Sequence, residues 1–412
     1  MGCRSRQPIS NLNTIALAIE KIDIDQFIAL YKSYPVLDVR SPGEYAHAHI
    51  PGAVSLPLFT DEERKVVGTI YKQQSQQDAI KSGLQYFGPK MVRMIETVEA
   101  LLKNASPANE LLPIDPLTNG PLTVIKGPPT ILVHCWRGGM RSAGVAWLLS
   151  LYGYRVFTIV GGYKAYRGWV RRQFEVQYPF HVLGGYTGSG KTVLLNNLED
   201  ISQPVIDLEH LAGHKGSAFG KIGLPPQPSQ EMFENLLAEA LFKSSGQLRE
   251  LPLPNSTSPE NRNPITGIWV EDESQRIGDI MLPDGFWNQL RSSPIFFIDI
   301  PFEERLDFLV QDYAKGQVEE FVNAIIRIKK RLGGLEAKTA IHHLLEGEIK
   351  EAYRVLLAYY DKWYRKGLNN RDHINDLLET LPFEKVLSER QVLELMARAG
   401  AKKKAASKEG TA

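Results

Sequence analysis

Twice along this chain a short apolar, β-branched run leads straight into a glycine-rich turn and then into a helical pattern. The first run is Thr130-Ile-Leu-Val-His134, followed by Cys135-Trp-Arg-Gly-Gly-Met-Arg-Ser142 and a helical pattern over 141–152 that stops at Gly153. The second is His181-Val-Leu-Gly184, followed by Gly185-Tyr-Thr-Gly-Ser-Gly190-Lys191-Thr192 and a helical pattern over 193–198. Parallel strands need a crossover connection, so strand, turn, helix, strand units of this length predict parallel α/β sheets. Further strand candidates lie at 35–39, 155–160, 205–207, 268–270 and 295–298.

The 412-residue length predicts more than one domain. One α/β domain is expected over 15–178, with a mostly helical insertion at 61–103, and a second over 179–315. No strand pattern follows Pro301. Apolar spacing over 321–332 and 341–363 predicts a helical region over 316–400, with a disordered tail over 401–412. The segment 252–264, rich in Pro, Asn and Ser, reads as a surface loop.

The position of Cys135 has chemical meaning. A loop between a strand and a helix N-terminus aims several backbone N–H groups at one point, and the helix dipole adds positive potential there. Gly138 and Gly139 permit the turn, and Arg137 and Arg141 add two cations. A thiol so placed is expected to ionise below its ordinary pKa of about 8.5 and to act as a nucleophile beside a tetrahedral-anion site. The plain alternative is a buried, inert cysteine in a βα unit. The string His-Cys-x-x-Gly-x-x-Arg-Ser matches the protein tyrosine phosphatase signature. The runs Asp38-Val-Arg-Ser-Pro-Gly-Glu-Tyr45 and His49-Ile-Pro-Gly-Ala53 resemble instead the N-terminal pattern of a rhodanese sulfurtransferase domain. Common rhodaneses have four residues between Cys and Arg; here there are five, 136–140. A larger loop accepts a larger anion, so a phosphate-bearing donor fits. Arg40 and Glu44 are expected to form a local ion pair.

Residues 185–192 fit the phosphate-binding P-loop in both sequence and context. Gly185, Gly188 and Gly190 let backbone amides cradle phosphates, Lys191 reaches the terminal ones, and Thr192 can ligate magnesium. An acidic strand end should meet that metal: Glu271 and Glu273, with Asp207 and Asp299 as rivals. His210 and His214 are four residues apart but lack the glutamate of a zinc protease motif.

Lys+Arg is 48 and Asp+Glu is 47, a formal net charge of +1, so any polyanion must be held by a local basic face. Lys164, Arg167, Arg171 and Arg172, interleaved with Tyr163, Tyr166 and Trp169, suit a phosphate backbone with bases stacked on the rings. A second cluster is Arg327, Lys329, Lys330 and Arg331. The plain alternative for each is a solvated helix face. The two cysteines, Cys3 and Cys135, exclude a disulfide framework and a structural zinc site. No run approaches the roughly 20 apolar residues of a membrane span, and the N-terminus lacks the apolar core of a signal peptide, so the cytoplasm is the expected compartment.

A rhodanese-like domain carrying Cys135, followed directly by a P-loop domain, resembles the bacterial tRNA 2-selenouridine synthase family. The likeness extends to Glu63-Arg-Lys-Val-Val-Gly-Thr-Ile-Tyr-Lys-Gln73, Gly161-Gly-Tyr-Lys-Ala-Tyr-Arg167, Asp207-Leu-Glu-His-Leu-Ala-Gly-His-Lys-Gly-Ser217 and Glu271-Asp-Glu-Ser274; the 252–264 loop looks unlike the family core. The resemblance implies exchange of the sulfur of a 2-thiouridine at the wobble position of a tRNA anticodon arm for selenium from selenophosphate. It also implies geranylation of that sulfur from geranyl diphosphate as an intermediate step. Cys135 would carry selenium as an S-selanylcysteine, and the P-loop would hold the diphosphate. No haem, flavin or zinc is implied, and a monomer is expected. The other readings are a phosphatase of the same fold, or an RNA-binding P-loop protein with an idle rhodanese module.

Overall fold

The computed structural model describes residues 19–104, 128–249, 267–313, 318–386 and 389–409. Cys3 and the 252–264 loop lie outside them. Contacts divide the chain into two compact units, Met1–Trp169 and Val170–Ala412.

The first unit contains β1 (Ile19–Ile22), β2 (Val36–Asp38), β3 (Val54–Ser55), β4 (Thr130–His134) and β5 (Arg155–Ile159). They form a sheet in the order β1-β5-β4-β2-β3, with every neighbouring pair parallel. β4 lies in the middle and is buried from Ile131 to His134, which is why it reads as a continuous apolar run rather than an alternating one. The helix Met140–Leu151 carries the chain from β4 to β5. Its Val145, Ala146 and Leu149 pack in one core with Leu37, Val133, Val156 and Cys135. The expected helical insertion forms Asp61–Gln73, Gln76–Phe87 and Met91–Asn104. A reciprocal cap starts the first of these: Thr60 accepts from the Glu63 N–H, and the Glu63 carboxylate returns to the Thr60 N–H at 2.8 Å. Phe87, Met94 and Val98 join the same core.

The second unit contains β6 (Phe180–Gly185), β7 (Val205–Ile206), β8 (Ile268–Glu271), β9 (Arg276–Ile277), β10 (Ile280–Met281), β11 (Ile295–Asp299) and β12 (Leu378–Pro382). A parallel sheet runs β12-β11-β6-β8-β7, and β9 and β10 form a separate antiparallel hairpin. Like β4, β6 is buried and flanked on both sides. Each conspicuous loop therefore leaves the carboxyl end of an interior strand, where open parallel sheets place ligands.

Three expectations need correction. A strand does follow Pro301: β12 pairs with β11 from Ile295↔Leu378 to Asp299↔Pro382. It is an edge strand with only Leu381 buried, so it shows no apolar run, and its proline is tolerated at the edge. The helical region expected to stand apart from residue 316 thus closes the P-loop sheet and belongs to its compact unit. The 341–363 pattern is two helices, Gly334–Leu345 and Ile349–Asn369, broken at Gly347, whose φ is +78°. Finally, the helix Glu389–Glu409 runs through most of the segment expected to be a disordered tail, because Ala, Lys and Glu are strong helix formers.

Leu381 packs with Phe296, Ile298 and Leu395. Leu381→Ala is expected to lower the unfolding free energy by about 2–5 kcal/mol, read as an earlier urea midpoint. An unmoved midpoint would show β12 to be peripheral.

Candidate functional site

The cysteine loop is built by backbone interlock. The helix Gly162–Gln173 follows β5, and its first N–H groups are spent on the loop: Tyr163 N–H donates to Cys135 O at 2.9 Å, and Lys164 N–H donates to Trp136 O at 3.0 Å. With those carbonyls turned toward the helix, loop N–H groups face the sulfur instead. The approach is so close that only glycine fits. A Cβ on Gly162 (φ +57°) would lie 2.3 Å from Cys135 O, and one on Gly138 (φ +66°) would lie 2.4 Å from Ile159 O. Cys135 is 3% exposed, and its Sγ accepts from the Gly139 N–H at 3.3 Å and lies 3.3 Å from Ser142 Oγ. Burial pushes the thiol pKa up. Hydrogen bonds from the Ser142 hydroxyl and the Ser142, Gly139 and Arg137 amides outweigh it, so the pKa lies below the ordinary value.

The arginine charges play a different part from the expected one. Arg141 Nη1 donates to Glu44 Oε2 at 2.8 Å, and Arg64 reaches the same oxygen at 2.9 Å. Burial raises the Glu44 pKa, but Arg141, the Ser41 N–H and Arg64 together more than offset it, so the pKa lies below the ordinary carboxylate value. Arg40 pairs not with Glu44 but with Asp38, both buried, with Nη2 on Oδ2 at 2.6 Å and on Ala48 O at 2.7 Å. Two residues apart at a strand end, Asp38 and Arg40 share a face. Arg40 also lies 3.8 Å from the Tyr163 ring centroid. The sheet register pairs Asp38 with His134, which burial pushes down to about 4, so this histidine is neutral at pH 7. Arg137 is exposed at the loop.

The P-loop turns from β6 into the helix Lys191–Asp200, with Gly190 as its N-cap. Lys191 Nζ donates to Gly185 O at 2.9 Å, and Gly188 packs on Arg305 and Leu309. Distant residues brace the loop. Tyr364 OH accepts from the Gly185 N–H at 3.1 Å and donates to Asp272 Oδ2 at 2.7 Å; Arg371 holds the other Asp272 oxygen. Arg305 donates to Thr187 O at 3.0 Å and grips both oxygens of Asp361 at 2.9 and 2.7 Å. The loop, including Thr192, opens on a cavity of about 1530 Å³.

Beside Lys191 three carboxylates, Glu209, Glu271 and Glu273, bring ligand atoms within 4.8 Å of one another. Glu209, quoted within a family run but not singled out, replaces Asp207 in the expected set. Asp207 caps the helix Leu208–Ala212, accepting from the His210 N–H at 2.7 Å. Asp299 is exposed at the end of β11 and is not in the group. Nor are His210 and His214, because Gly213 ends the helix between them. Glu271 is 1% exposed, and its Oε2 has no hydrogen-bond partner among the described residues. A Cβ on Gly216 would sit 2.5 Å from Glu273 Oε2 and 2.8 Å from Glu209 Oε1, so the backbone closes over the carboxylates. Burial, then Glu273, push Glu209 up to about 8, while Lys191 pulls it down. Burial first, then Glu209, raise Glu271 well above the ordinary carboxylate value. Hard oxygen ligands, one with an orphaned buried oxygen, beside a phosphate loop fit a magnesium ion.

Residues 178–377 match the family model described as the tRNA 2-selenouridine synthase AAA domain, and residues 23–85 match that of the rhodanese-like domain. A tRNA 2-selenouridine synthase of Bdellovibrio bacteriovorus is 33% identical over 89% of this chain and 98% of its own length. The chain belongs to the tRNA 2-selenouridine synthase family. Two other family members are similar over much of the chain. One from Nitrosomonas europaea is 37% identical over 74% of this chain and 71% of its own length; one from Sulfurovum is 32% identical over 80% and 87%.

The basic surface expected for an RNA substrate of this family is redrawn. Tyr163, Tyr166 and Trp169 are buried, and Arg167 is 7% exposed, so the rings do not face solvent. Tyr163, Tyr166 and Arg167 stand three and four residues apart, and Trp169 three beyond Tyr166, the spacing of an inward helical stripe and a signal legible in the sequence. Lys164, Arg171 and Arg172 remain exposed. Arg327, Lys330 and Arg331 are exposed on the helix Val318–Leu332, and Arg327 and Arg331 line the same cavity as the P-loop. No helix among the described residues is long and apolar enough to cross a membrane.

Ser142→Ala removes a bond to the sulfur and is expected to move the Cys135 thiolate titration to higher pH. Ultraviolet thiolate absorbance, with Cys135→Ser subtracted, reads this; an unchanged midpoint would exclude the hydroxyl as a cause. The carboxylates give a second expectation. Glu209 titrates near 8 when folded but near 4.5 in its ordinary state, so the folded chain holds an extra proton between those values. Stability from this group therefore falls as pH rises through that window. Glu209→Gln should raise Tm more at pH 8.5 than at pH 5; a pH-independent difference would clear the carboxyl.

Proposed function

We propose that this chain replaces the sulfur of a wobble 2-thiouridine in tRNA by selenium from selenophosphate, through an S-geranylated base made with geranyl diphosphate. The observation that carries this reading is the Cys135 sulfur, held as a low-pKa thiol by loop amides and Ser142, in a chain whose relatives are tRNA 2-selenouridine synthases. Two anion cradles in one chain suit two phosphate-bearing co-substrates.

In this reading the amides of the cysteine loop, with Arg137 and Arg141, hold the phosphate of selenophosphate. Glu44 fixes Arg141 in the pose this requires. The Cys135 thiolate forms an S–Se bond with the selenium of selenophosphate as the P–Se bond breaks and its electron pair leaves with phosphorus as phosphite. The S-selanylcysteine selenium then attacks C2 of the alkylated base while geranylthiol leaves. Two low-molecular-weight thiols reduce the S–Se bond to Cys135, releasing the 2-selenouridine, restoring the Cys135 thiol and leaving as their disulfide. Alkylation makes C2 electrophilic and the sulfur a better leaving group. In the second unit Gly185, Gly188, Gly190 and Lys191 hold the diphosphate, and Thr192, Glu209, Glu271 and Glu273 would hold magnesium. A metal held there would supply charge neutralisation for the diphosphate leaving group. The reading places the protein in the cytoplasm as a monomer acting on the anticodon arm. Family membership favours it over a phosphatase or an idle rhodanese module.

Nucleoside mass spectrometry of tRNA incubated with purified variants tests it. Cys135→Ser should lose selenium incorporation by roughly 10³-fold or more while still geranylating. Lys191→Ala should lose geranylation yet still selenate tRNA that is already geranylated. Normal selenation by Cys135→Ser would mean that selenophosphate attacks the base directly.

A further inference from the structure

The cavity of the second unit exceeds what a diphosphate ligand needs. It measures about 1530 Å³, against roughly 300–1,000 Å³ for ordinary small-molecule sites. The P-loop forms one part of its lining. Another part has different chemistry: Arg327, Ile328 and Arg331 from the helix Val318–Leu332, and Tyr359 and Trp363 from the helix Ile349–Asn369.

The second helix carries two stripes of rings. Tyr360 and Tyr364 also line the cavity, but their hydroxyls are engaged, Tyr360 OH accepting from the Ala218 N–H at 3.2 Å and Tyr364 bracing the P-loop. Tyr359 and Trp363, four residues apart, form the other stripe. Their ring centroids are 6.3 Å apart in an edge arrangement, and Trp363 is 42% exposed, unusual for the largest apolar side chain. A cation lies near each ring. Lys366 Nζ lies 5.1 Å from the Trp363 ring centroid, and Arg331 is near enough to Tyr359 to oppose the effect of burial on its hydroxyl. Arg327 is steadied by the Ala218 carbonyl at 3.3 Å.

We infer that Trp363 and Tyr359, flanked by Arg327 and Arg331, form the platform on which a nucleotide of the RNA substrate stacks inside the cavity that holds the diphosphate. The inference rests on the function proposed above and names the substrate contact in this unit. A hydrocarbon chain is the competing occupant of the wall. It would desolvate two guanidiniums and gain nothing from them. A nucleotide brings both a π face for the rings and a phosphate for the cations. Alkyl transfer also requires the base and the diphosphate to share one chamber, and the volume accommodates both. Lys330, on the same helix, does not line the cavity and is left for the phosphate backbone outside it.

The test uses the full chain and a tRNA carrying wobble 2-thiouridine, with inorganic pyrophosphate as the probe of the P-loop. Trp363→Ala should weaken tRNA binding by at least about fivefold, and Trp363→Phe should recover most of the loss. Arg331→Gln, an exposed position that spares the fold, should weaken tRNA binding and reduce its salt dependence by about one unit of slope. All three should bind pyrophosphate like the parent. Parental tRNA affinity in both Trp363→Ala and Arg331→Gln would overturn the inference. So would a loss of geranyl diphosphate affinity in Trp363→Ala without tRNA, which would assign the wall to the prenyl chain. Lys191→Ala separates the two readings: retained pyrophosphate binding there would sink the diphosphate assignment while leaving the platform standing.

Discussion

Everything in the first unit turns on a backbone constraint: the loop after β4 and the helix after β5 touch with no room for a side chain. Gly162 would place a Cβ 2.3 Å from Cys135 O. That contact lets the helix take the carbonyls of Cys135 and Trp136, which leaves loop amides to serve the sulfur. Amides cannot be neutralised by pH or displaced by salt, so their contribution to lowering the thiol pKa is fixed by the backbone. Guanidiniums would have been a weaker device. A free arginine beside the sulfur would move and be screened, whereas Arg141 is anchored to Glu44.

The two units treat buried charge in opposite ways. Beneath the cysteine loop Asp38 and Arg40 neutralise each other with bidentate geometry and further bonds, and His134 stays neutral. Removing either partner would strand a buried charge, at about 3–5 kcal/mol. Beside the P-loop, Lys191 lowers the pKa of Glu209 and Glu273, yet burial raises the pKa of all three carboxylates. The first arrangement is complete as it stands. The second brings three like-charged groups together, Glu271 Oε2 having no hydrogen-bond partner among the described residues.

Local order was legible in the sequence because it is written locally. Both strand, loop and helix units, the P-loop glycines and the helical insertion follow from contiguous patterns. Partnerships across the chain were not. Glu44 and Arg141 are 97 residues apart, and Gly185 and Tyr364 are 179 apart; no spacing rule joins them. Ser142 stood in the quoted motif, yet its bond to the sulfur depends on where the first helical turn sits. β12 escaped notice because an edge strand buries a single leucine. The buried stripe Tyr163, Tyr166, Arg167 and Trp169 could have been found, since its period is helical; basic composition masked it.

The bracing of the P-loop explains why the helical layer belongs to its unit. Such a loop must keep its amides convergent, and a string of glycines has little stiffness of its own. Tyr364 fixes the Gly185 amide and Arg305 fixes the Thr187 carbonyl, and both are tied to the helix Ile349–Asn369, through Tyr364 itself and through Asp361. The same helix places Trp363 and Tyr359 on the cavity wall. Any substrate that shifts or stiffens this helix therefore acts on the loop through two hydrogen-bonded struts. The cavity wall and the struts of the phosphate cradle are thus carried by one helix.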